Sequence, residues 1–496
     1  MNNYPLNQHE HFTNLRQMIE HQCNQNPDYI AYGYLQEKQL RTVTYQQFYE
    51  DINNLGTFLY HEGMKHVKIA VVGENSYYWI LSYFATVIGS NIIVPIDKEL
   101  SDEEIVSLIQ QTDVQAIIYS EDYKSTAELA MQKEIVDKIY STANFEEYLQ
   151  TGKALCNNGY IEYMQNEIDD NAVSTIIYTS GTTGIPKGVM LCQKGLALDT
   201  ITACELLYLE GDSMLTLPLH HTFAFTAGVL ALLTYGKTVY INSSIRTFMQ
   251  DLRIFQPQNL FLVPLFVENI FKNISKNMVH ANKSDILNTL GGNLNLIVSG
   301  GAPLDSEMID ILQEFDIQLI NGYGITECSP VVSVNRNNYY KNGSIGLACP
   351  CNEVKVIDDE ICVKGPNVML GYYKDEQTTK DAFEGDYFKT GDLGYIDEDG
   401  FIFITGRKKN LIILANGKNV SPEELEGYIS KIPNVIEVVV SGKEQVITAE
   451  IYAEDESGIK QQILELNKTL PKYKQIQKII FRDDEFEKTS TKKIKR

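Results

Sequence analysis

The chain has little of what would mark it as secreted, zinc-dependent or membrane-embedded. Its eight cysteines (23, 156, 192, 204, 328, 349, 351 and 362) include no C-x-x-C pair. In a chain this long, that usage argues against a disulfide frame and fits free thiols in a reducing compartment. The eight histidines contain no H-E-x-x-H, so no zinc site is expected. Positive charge is scarce: 42 Lys and Arg against 65 Asp and Glu leave a formal charge of −23. A surface that acidic argues against nucleic acid and anionic membranes as partners. The opening Met1-Asn-Asn-Tyr-Pro5 has neither a basic stretch nor an apolar one, and no secretory signal is expected. No run reaches about 20 apolar residues. The two longest uncharged windows, residues 75–96 and 213–236, are broken by Ser, Asn, Gly and Pro, and by Pro218 and a His pair. Both read as buried helix and strand, and a cytoplasmic protein with no transmembrane segment is expected.

What is present is ordinary for a globular protein, with 44% hydrophobic and 22% charged residues. The 496 residues are too many for one core, so two or more domains are expected. Residues 6–65 read as helices around a small hairpin. Strands at 68–72, 92–95 and 116–119 alternate with helices at 76–88 and after Ser101-Asp-Glu-Glu104, a capping box. That alternation predicts a parallel α/β sheet. Residues 121–170 are polar and acidic and predict a mobile, variable connection.

The most informative stretch is Tyr178-Thr-Ser-Gly-Thr-Thr-Gly-Ile-Pro-Lys-Gly188. A β-branched run at 173–177 precedes it and a short strand at 188–191 follows. Glycines that turn N–H groups inward, hydroxyl donors and one lysine suit a phosphate loop. An ordinary Gly/Thr hairpin turn is the competing reading. It is not a Walker A loop, since Pro186 stands where the second glycine of G-x-x-x-x-G-K should be.

Further segments follow. A helix is expected at 194–209, then a strand at 214–219 ending in Pro218-Leu-His-His-Thr-Phe-Ala-Phe-Thr226. The apolar helix over 223–233 carries small residues Ala224, Ala227 and Gly228, which either leave room for a ligand or allow close helix–sheet packing. A strand at 295–298 ends in Ser299-Gly-Gly-Ala-Pro303, and glycine-rich strand ends are where α/β sheets place ligands. Then come Asn321-Gly-Tyr-Gly-Ile-Thr-Glu-Cys-Ser-Pro330, Asn342-Gly-Ser-Ile-Gly346, Lys364-Gly-Pro-Asn-Val-Met-Leu-Gly-Tyr-Tyr373, Tyr387-Phe-Lys-Thr-Gly-Asp-Leu-Gly394 and Thr405-Gly-Arg-Lys-Lys-Asn-Leu-Ile412. The segments at 342–346 and 364–373 read as structural turns and strands. Gly406 and three basic residues separate two apolar segments, which is linker chemistry. Beyond it the chain reads α+β, with a Ser421-capped helix carrying Pro422 at its first position and strands at 436–440, 446–451 and 478–481. The end is Phe486-Glu-Lys-Thr-Ser-Thr-Lys-Lys-Ile-Lys-Arg496, which on composition alone reads as a basic tail.

Together these strings, spread over essentially the whole chain, resemble the adenylate-forming superfamily. The resemblance implies an α/β fold: a large N-terminal domain (1–406) of α/β sheets with a β-barrel-like subdomain, a hinge at 407–409, and a small mobile α+β domain (410–496). It implies ATP-dependent activation of a carboxylic acid to an acyl-adenylate with release of pyrophosphate, then transfer to a thiol. ATP, Mg²⁺ and coenzyme A are the implied cofactors and co-substrates. Phosphates are expected on Thr179, Ser180, Gly181, Thr182, Thr183, Gly184 and Lys187. Adenine is expected beside Gly301, Ala302 and Pro303 and on Tyr323, within Asn321, Gly322 and Gly324. The resemblance gives Thr326 the α-phosphate, Glu327 the Mg²⁺, and Asp392 and Arg407 the ribose, with Arg407 also reaching phosphate. His221 is expected beside the carboxylate, Lys409 at the hinge and Gly417 along the pantetheine path. The family's terminal pattern is roughly P-K-T-x-x-G-K-I. Here Glu487 replaces the proline and Lys492 the glycine, and that register makes Lys493 the catalytic lysine, with Lys492 the neighbouring choice. The His-His-Thr-Phe segment and the ending look most like bacterial medium- and long-chain fatty acyl-CoA synthetases. No charged binder for an amino group follows His221, which disfavours amino-acid substrates. An aryl acid, and a carrier-protein phosphopantetheine arm as acceptor, stay open.

Overall fold

The apolar runs that alternate with helices over residues 68–141 pair in parallel, as the pattern predicts. In the computed structural model of the chain, Lys68–Val72 lies between Ile92–Pro95 and Ala116–Tyr119, and Lys138–Ser141 forms the edge beyond. The structure describes residues 5–179, 186–277, 283–305, 307–414, 418–442, 446–488 and 494. The chain divides into two compact units: residues 1–353 with 364–386, and residues 354–363 with 387–496.

Among the described residues of the first unit are two large sheets. The seven-stranded sheet continues from Ile92–Pro95 to Val173–Thr179, then to Lys187–Cys192 and Gly371–Tyr372. The nine-stranded sheet runs parallel through Val239–Ile241, Ser213–Leu215, Asn259–Leu262, Leu296–Ser299 and Gln318–Gly324, then closes antiparallel on Val331–Val334. Parallel order brings the C-terminal ends of these strands to one edge, where ligands of open α/β sheets are held.

The helix Tyr77–Ile88 is buried all round because it touches both sheets. Tyr83 hydroxyl meets Thr175 of the seven-stranded sheet at 2.7 Å. Tyr77 packs 5.8 Å from Tyr32 of the nine-stranded one. This accounts for the uncharged window at 75–96. Among the described residues no helix is long and apolar enough to cross a membrane.

Residues 121–170 differ from the expected loop. They form the helices Lys124–Gln132 and Phe145–Asn157 around the edge strand Lys138–Ser141. The acidic composition hid sparse anchors. Phe145 and Tyr163 are fully buried, and Tyr148 stacks on Phe58 at 4.5 Å. Gly152 is required there, because a Cβ would collide with the Asn54 carbonyl.

In the second unit, Tyr387–Ile396 pairs antiparallel with Ile402–Arg407 and with the strand Glu360–Lys364. A separate three-stranded sheet, Val435–Ser441, Thr448–Ala453 and Lys478–Arg482, packs on the helices Pro422–Ile429 and Ile459–Thr469 around a core of Ile, Val and Leu. Ser421 precedes its helix as expected but does not cap it. Its hydroxyl donates to Glu423 Oε2 at 3.0 Å instead, with Pro422 in the first turn. Overall the chain is mixed α/β, with a large N-terminal sheet part and a smaller C-terminal part.

Candidate active site

The strand Val173–Thr179 and its antiparallel partner Lys187–Cys192 hold the two ends of the Gly/Thr loop, with Thr179 opposite Lys187. Ser180, Gly181, Thr182, Thr183 and Gly184 lie outside the described residues. Beside this hairpin runs Gly371–Tyr372, read above as structural only. Backbone hydrogen bonds stitch it in place. Leu370 N–H donates to Met190 O at 2.9 Å, Tyr373 N–H to Gly188 O at 2.7 Å, and Met369 N–H to Glu327 O at 2.7 Å. The segment thus ties the hairpin that holds the Gly/Thr loop to the Thr326–Cys328 turn.

Tyr372 makes that tie chemical. Its hydroxyl donates to Glu327 Oε1 at 2.8 Å, and Lys187 Nζ lies 5.1 Å from its ring centroid. Burial, then the neighbouring Glu327 charge, pushes the Tyr372 pKa far up, so the hydroxyl remains a donor. Glu327 Oε2 takes no part in this bond. A carboxylate with one oxygen outside this bond suits Mg²⁺, which takes few protein carboxylates and keeps its waters and phosphates. Among the described residues no cluster of three or more His, Cys, Asp or Glu offers a cage for another metal.

The turn bearing Thr326 and Glu327 is braced from behind. Ser329 adopts φ +70° at its end, and a Cβ at Gly324 would strike the Pro330 carbonyl. Asp199, fully buried on the helix Gln193–Leu206, accepts from Asn367 Nδ2 at 2.8 Å and from Val331 N–H at 3.1 Å. Asn367 Nδ2 also donates to Cys328 O at 2.8 Å. Burial raises the Asp199 pKa well above the usual carboxylate range. Neither Tyr372 nor Asp199 was singled out from the sequence. Each acts through partners 45 or more residues away, and a doubled tyrosine in a turn-rich string was the sole local signal for Tyr372.

The strand-end loops converge on the same edge. Ser299 pairs with Asn321, so Gly301, Ala302 and Pro303 follow directly beside Asn321, Gly322, Tyr323 and Gly324. Gly301 has φ +83°, a left-handed turn suited to glycine. Gly300 packs close to the Phe223 ring, which brings in the helix Thr222–Phe225. Thr222 Oγ1 approaches Thr326 Oγ1 at 3.5 Å, the outer limit of a hydrogen bond.

His221 immediately precedes that helix, its ring 4.1 Å from that of His220. Asn75 fixes the approach, donating to Leu217 O at 2.7 Å and accepting from Leu219 N–H at 3.0 Å. His220 Nε2 lies 3.4 Å from Asp97 Oδ1. Burial outweighs that carboxylate and lowers the His220 pKa to about 4, so a neutral imidazole faces Asp97. The following residues 226–230 widen into a π-turn, a distortion frequent at functional sites. A Cβ at Gly228 would meet Leu215 Cδ1 at 2.8 Å, so at that position the small residue serves close packing.

Asp392, Arg407 and Lys409 belong to the second unit. Asp392 is 3% exposed, and Arg407 Nε donates to its Oδ1 at 2.6 Å. Lys408 pairs with buried Glu360 at 2.7 Å, and Lys409 is exposed. Gly417, Lys492 and Lys493 lie outside the described residues. The tail before them is anchored: Lys488 Nζ meets Glu437 Oε1 at 2.5 Å, and Phe486 N–H donates to Glu437 Oε2 at 2.8 Å.

Comparison with known proteins gives a consistent result. Residues 19–373 match the family described as AMP-binding enzyme. The chain is 29% identical over 490 residues to the long-chain-fatty-acid–CoA ligase FadD15 of Mycobacterium bovis, covering 88% of this chain and 81% of that one. It is 29% identical over 412 residues to the 2-succinylbenzoate–CoA ligase of Listeria innocua, covering 81% and 80%. Its fold matches O-succinylbenzoate coenzyme A synthetase from Bacillus subtilis, solved with ATP and magnesium ion, at a TM-score of 0.78 and 22% identity over 96% and 98% of the two chains.

Proposed function

The chain belongs to the AMP-binding enzymes, and from that membership we propose that it activates a carboxylic acid with ATP and passes the acyl group to coenzyme A. A carboxylate cannot acylate a thiol directly, because its oxygen is a poor leaving group. One carboxylate oxygen attacks the α-phosphorus, the bond to the bridging β-oxygen breaks, and pyrophosphate departs. The carbonyl of the resulting acyl-adenylate then takes the thiolate sulfur, and AMP leaves with the oxygen it gained. Negative charge builds on phosphate oxygens in the first step, so the protein acts mainly by position and charge.

The observation that carries this reading is Tyr372 joining Lys187 to Glu327. We assign Lys187, with Thr179 and the glycine and hydroxyl loop, to the β- and γ-phosphates. Thr326 is assigned to the α-phosphate, Tyr323 to the adenine face and His221 to the incoming carboxylate. Glu327 would hold the Mg²⁺ that enters with the triphosphate. That cation, when bound, neutralises phosphate charge. Asp392 and Arg407 are assigned to the ribose and Lys493 to the bridge between carboxylate and α-phosphate. The large part would extend over 1–406 and the small part over 410–496. The pivot at 407–409 then falls inside the second compact unit, and Gly417 is assigned to the pantetheine path. The free thiols suit a reducing compartment, and we place the enzyme in the cytoplasm.

A medium- or long-chain fatty acid is the substrate class we favour, supported by the ligase relative named for long-chain fatty acids. The 2-succinylbenzoate ligase relative keeps an aryl acid as the second reading. Pyrophosphate release across acids of graded length, with and without coenzyme A, tests both. Alkyl acids that outperform benzoates support the fatty-acid reading, and the reverse order overturns it. If the thioester forms solely on a carrier protein's phosphopantetheine and never on coenzyme A, the acceptor assignment changes to that arm.

A further inference from the structure

The part of Tyr372 in the site is fixed with unusual completeness for a residue in a turn-rich segment. Its own N–H donates to Thr379 Oγ1 at 2.8 Å, and Met369, Leu370 and Tyr373 around it each donate to a backbone carbonyl of the Glu327 turn or the Lys187 strand. The side chain is 8% exposed, yet both of its polar contacts are ionic groups. A core tyrosine needs only one acceptor, and a backbone carbonyl would do. Here the acceptor is a carboxylate and the ring carries an ammonium. The carboxylate accepts from a neutral hydroxyl and the ammonium lies over a neutral ring, with Asp375 also close enough to act on Lys187.

We propose that Tyr372 is a positioning residue for the triphosphate and its cation: the hydroxyl orients Glu327 and the ring orients Lys187. The proposal rests on the assignment of Glu327 to Mg²⁺ and of Lys187 to phosphate made above. A partner of this kind behind a metal ligand typically controls metal affinity by about 10- to 100-fold. A cation held over a ring face keeps its charge while losing freedom.

The test uses the full-length chain and equilibrium binding of ATP, measured by calorimetry with and without Mg²⁺, independent of turnover. Tyr372→Phe keeps the ring and removes the hydroxyl. It is expected to raise the Mg²⁺ concentration needed for half-maximal ATP binding about tenfold, and to change metal-free ATP binding by less than about twofold. Tyr372→Leu is expected to weaken metal-free binding as well, since the ring over Lys187 is gone. Glu327→Gln tests the metal ligand separately. If Glu327→Gln removes the Mg²⁺ dependence while Tyr372→Phe binds as the parent does, the proposal is overturned and the Glu327 assignment stands. If Glu327→Gln leaves the Mg²⁺ dependence intact, the Glu327 assignment itself fails. Equal loss of metal-free and Mg²⁺-dependent binding in Tyr372→Phe would show a folding role in place of a positioning one, and overturns the proposal.

Discussion

Glu327 and Asp392 are both carboxylates expected to serve the same nucleotide, yet the protein prepares them in opposite ways. Glu327, in the first unit, is partly buried and, among the described residues, accepts a neutral hydrogen bond from Tyr372 on one oxygen. Asp392, in the second, is 3% exposed and already faces the Arg407 guanidinium at 2.6 Å. A carboxylate meant for a divalent cation must keep charge unspent, because the cation is the partner that compensates it. A buried carboxylate proposed for two neutral ribose hydroxyls needs support from hydrogen bonds or another charge while the sugar is absent. Arg407 answers that need, and its side chain is 43% exposed, so it has room to turn toward a ligand.

The largest effect is expected beyond both carboxylates. Lys493→Ala should abolish acyl-adenylate formation while still converting supplied acyl-adenylate to thioester, and Lys409→Pro should do the reverse by fixing φ at the pivot. Assay of the two half-reactions separately decides, and equal loss of both in Lys493→Ala would break the two-conformation account. Next, Glu327→Gln should lower the adenylation rate by about 10²–10³, comparable to removing a key charge-stabilising group. Asp392→Asn should mainly raise the KM for ATP, by about tenfold, since one hydrogen bond to a charged acceptor is worth about 1.5–3 kcal/mol. A kcat loss in Asp392→Asn as large as that in Glu327→Gln would erase the distinction.

Stability sharpens the same contrast. Arg407→Ala leaves Asp392 buried without its guanidinium and should destabilise the second unit by about 1–3 kcal/mol. Asp392→Asn leaves a cation that can reach water and should cost less; denaturant unfolding of both variants checks the order. A pH-dependent effect is expected at His220. Its folded pKa, about 4, lies below the ordinary 6.5 because of burial. The unfolded chain therefore binds the extra proton first as pH falls. Stability from this group is complete above about pH 6.5 and declines by roughly 3 kcal/mol toward pH 4. His220→Phe should flatten that part of the profile, and an unchanged slope would mean that His220 is not held neutral.

Much of this was legible because the decisive signals are local. Strands Lys68–Val72 and Ala116–Tyr119 stand as short, largely apolar runs rich in Ile and Val, and Ser101 with Glu104 forms the capping box its spacing announces. The helix Phe145–Asn157 was not legible, since its few anchors are scattered among acidic residues and find their partners about the distant Phe58 and Asn54. Site motifs could be named one by one, but their joining could not. Nothing in the order of residues says that Tyr372 reaches both Lys187 and Glu327, or that Asp199 closes on Val331 and Asn367. The small residues before Leu230 admitted two readings, and Leu215 against Gly228 favours packing at that point.

The central claim is that a carboxylic acid displaces pyrophosphate from ATP on this protein. Exchange of labelled pyrophosphate into ATP, followed with Mg²⁺ and no coenzyme A, tests that step without the second half-reaction. The account predicts exchange that depends on added acid, strongest with alkyl chains, and lost in Glu327→Gln. Absence of exchange with every acid, or exchange that ignores the acid altogether, would contradict it.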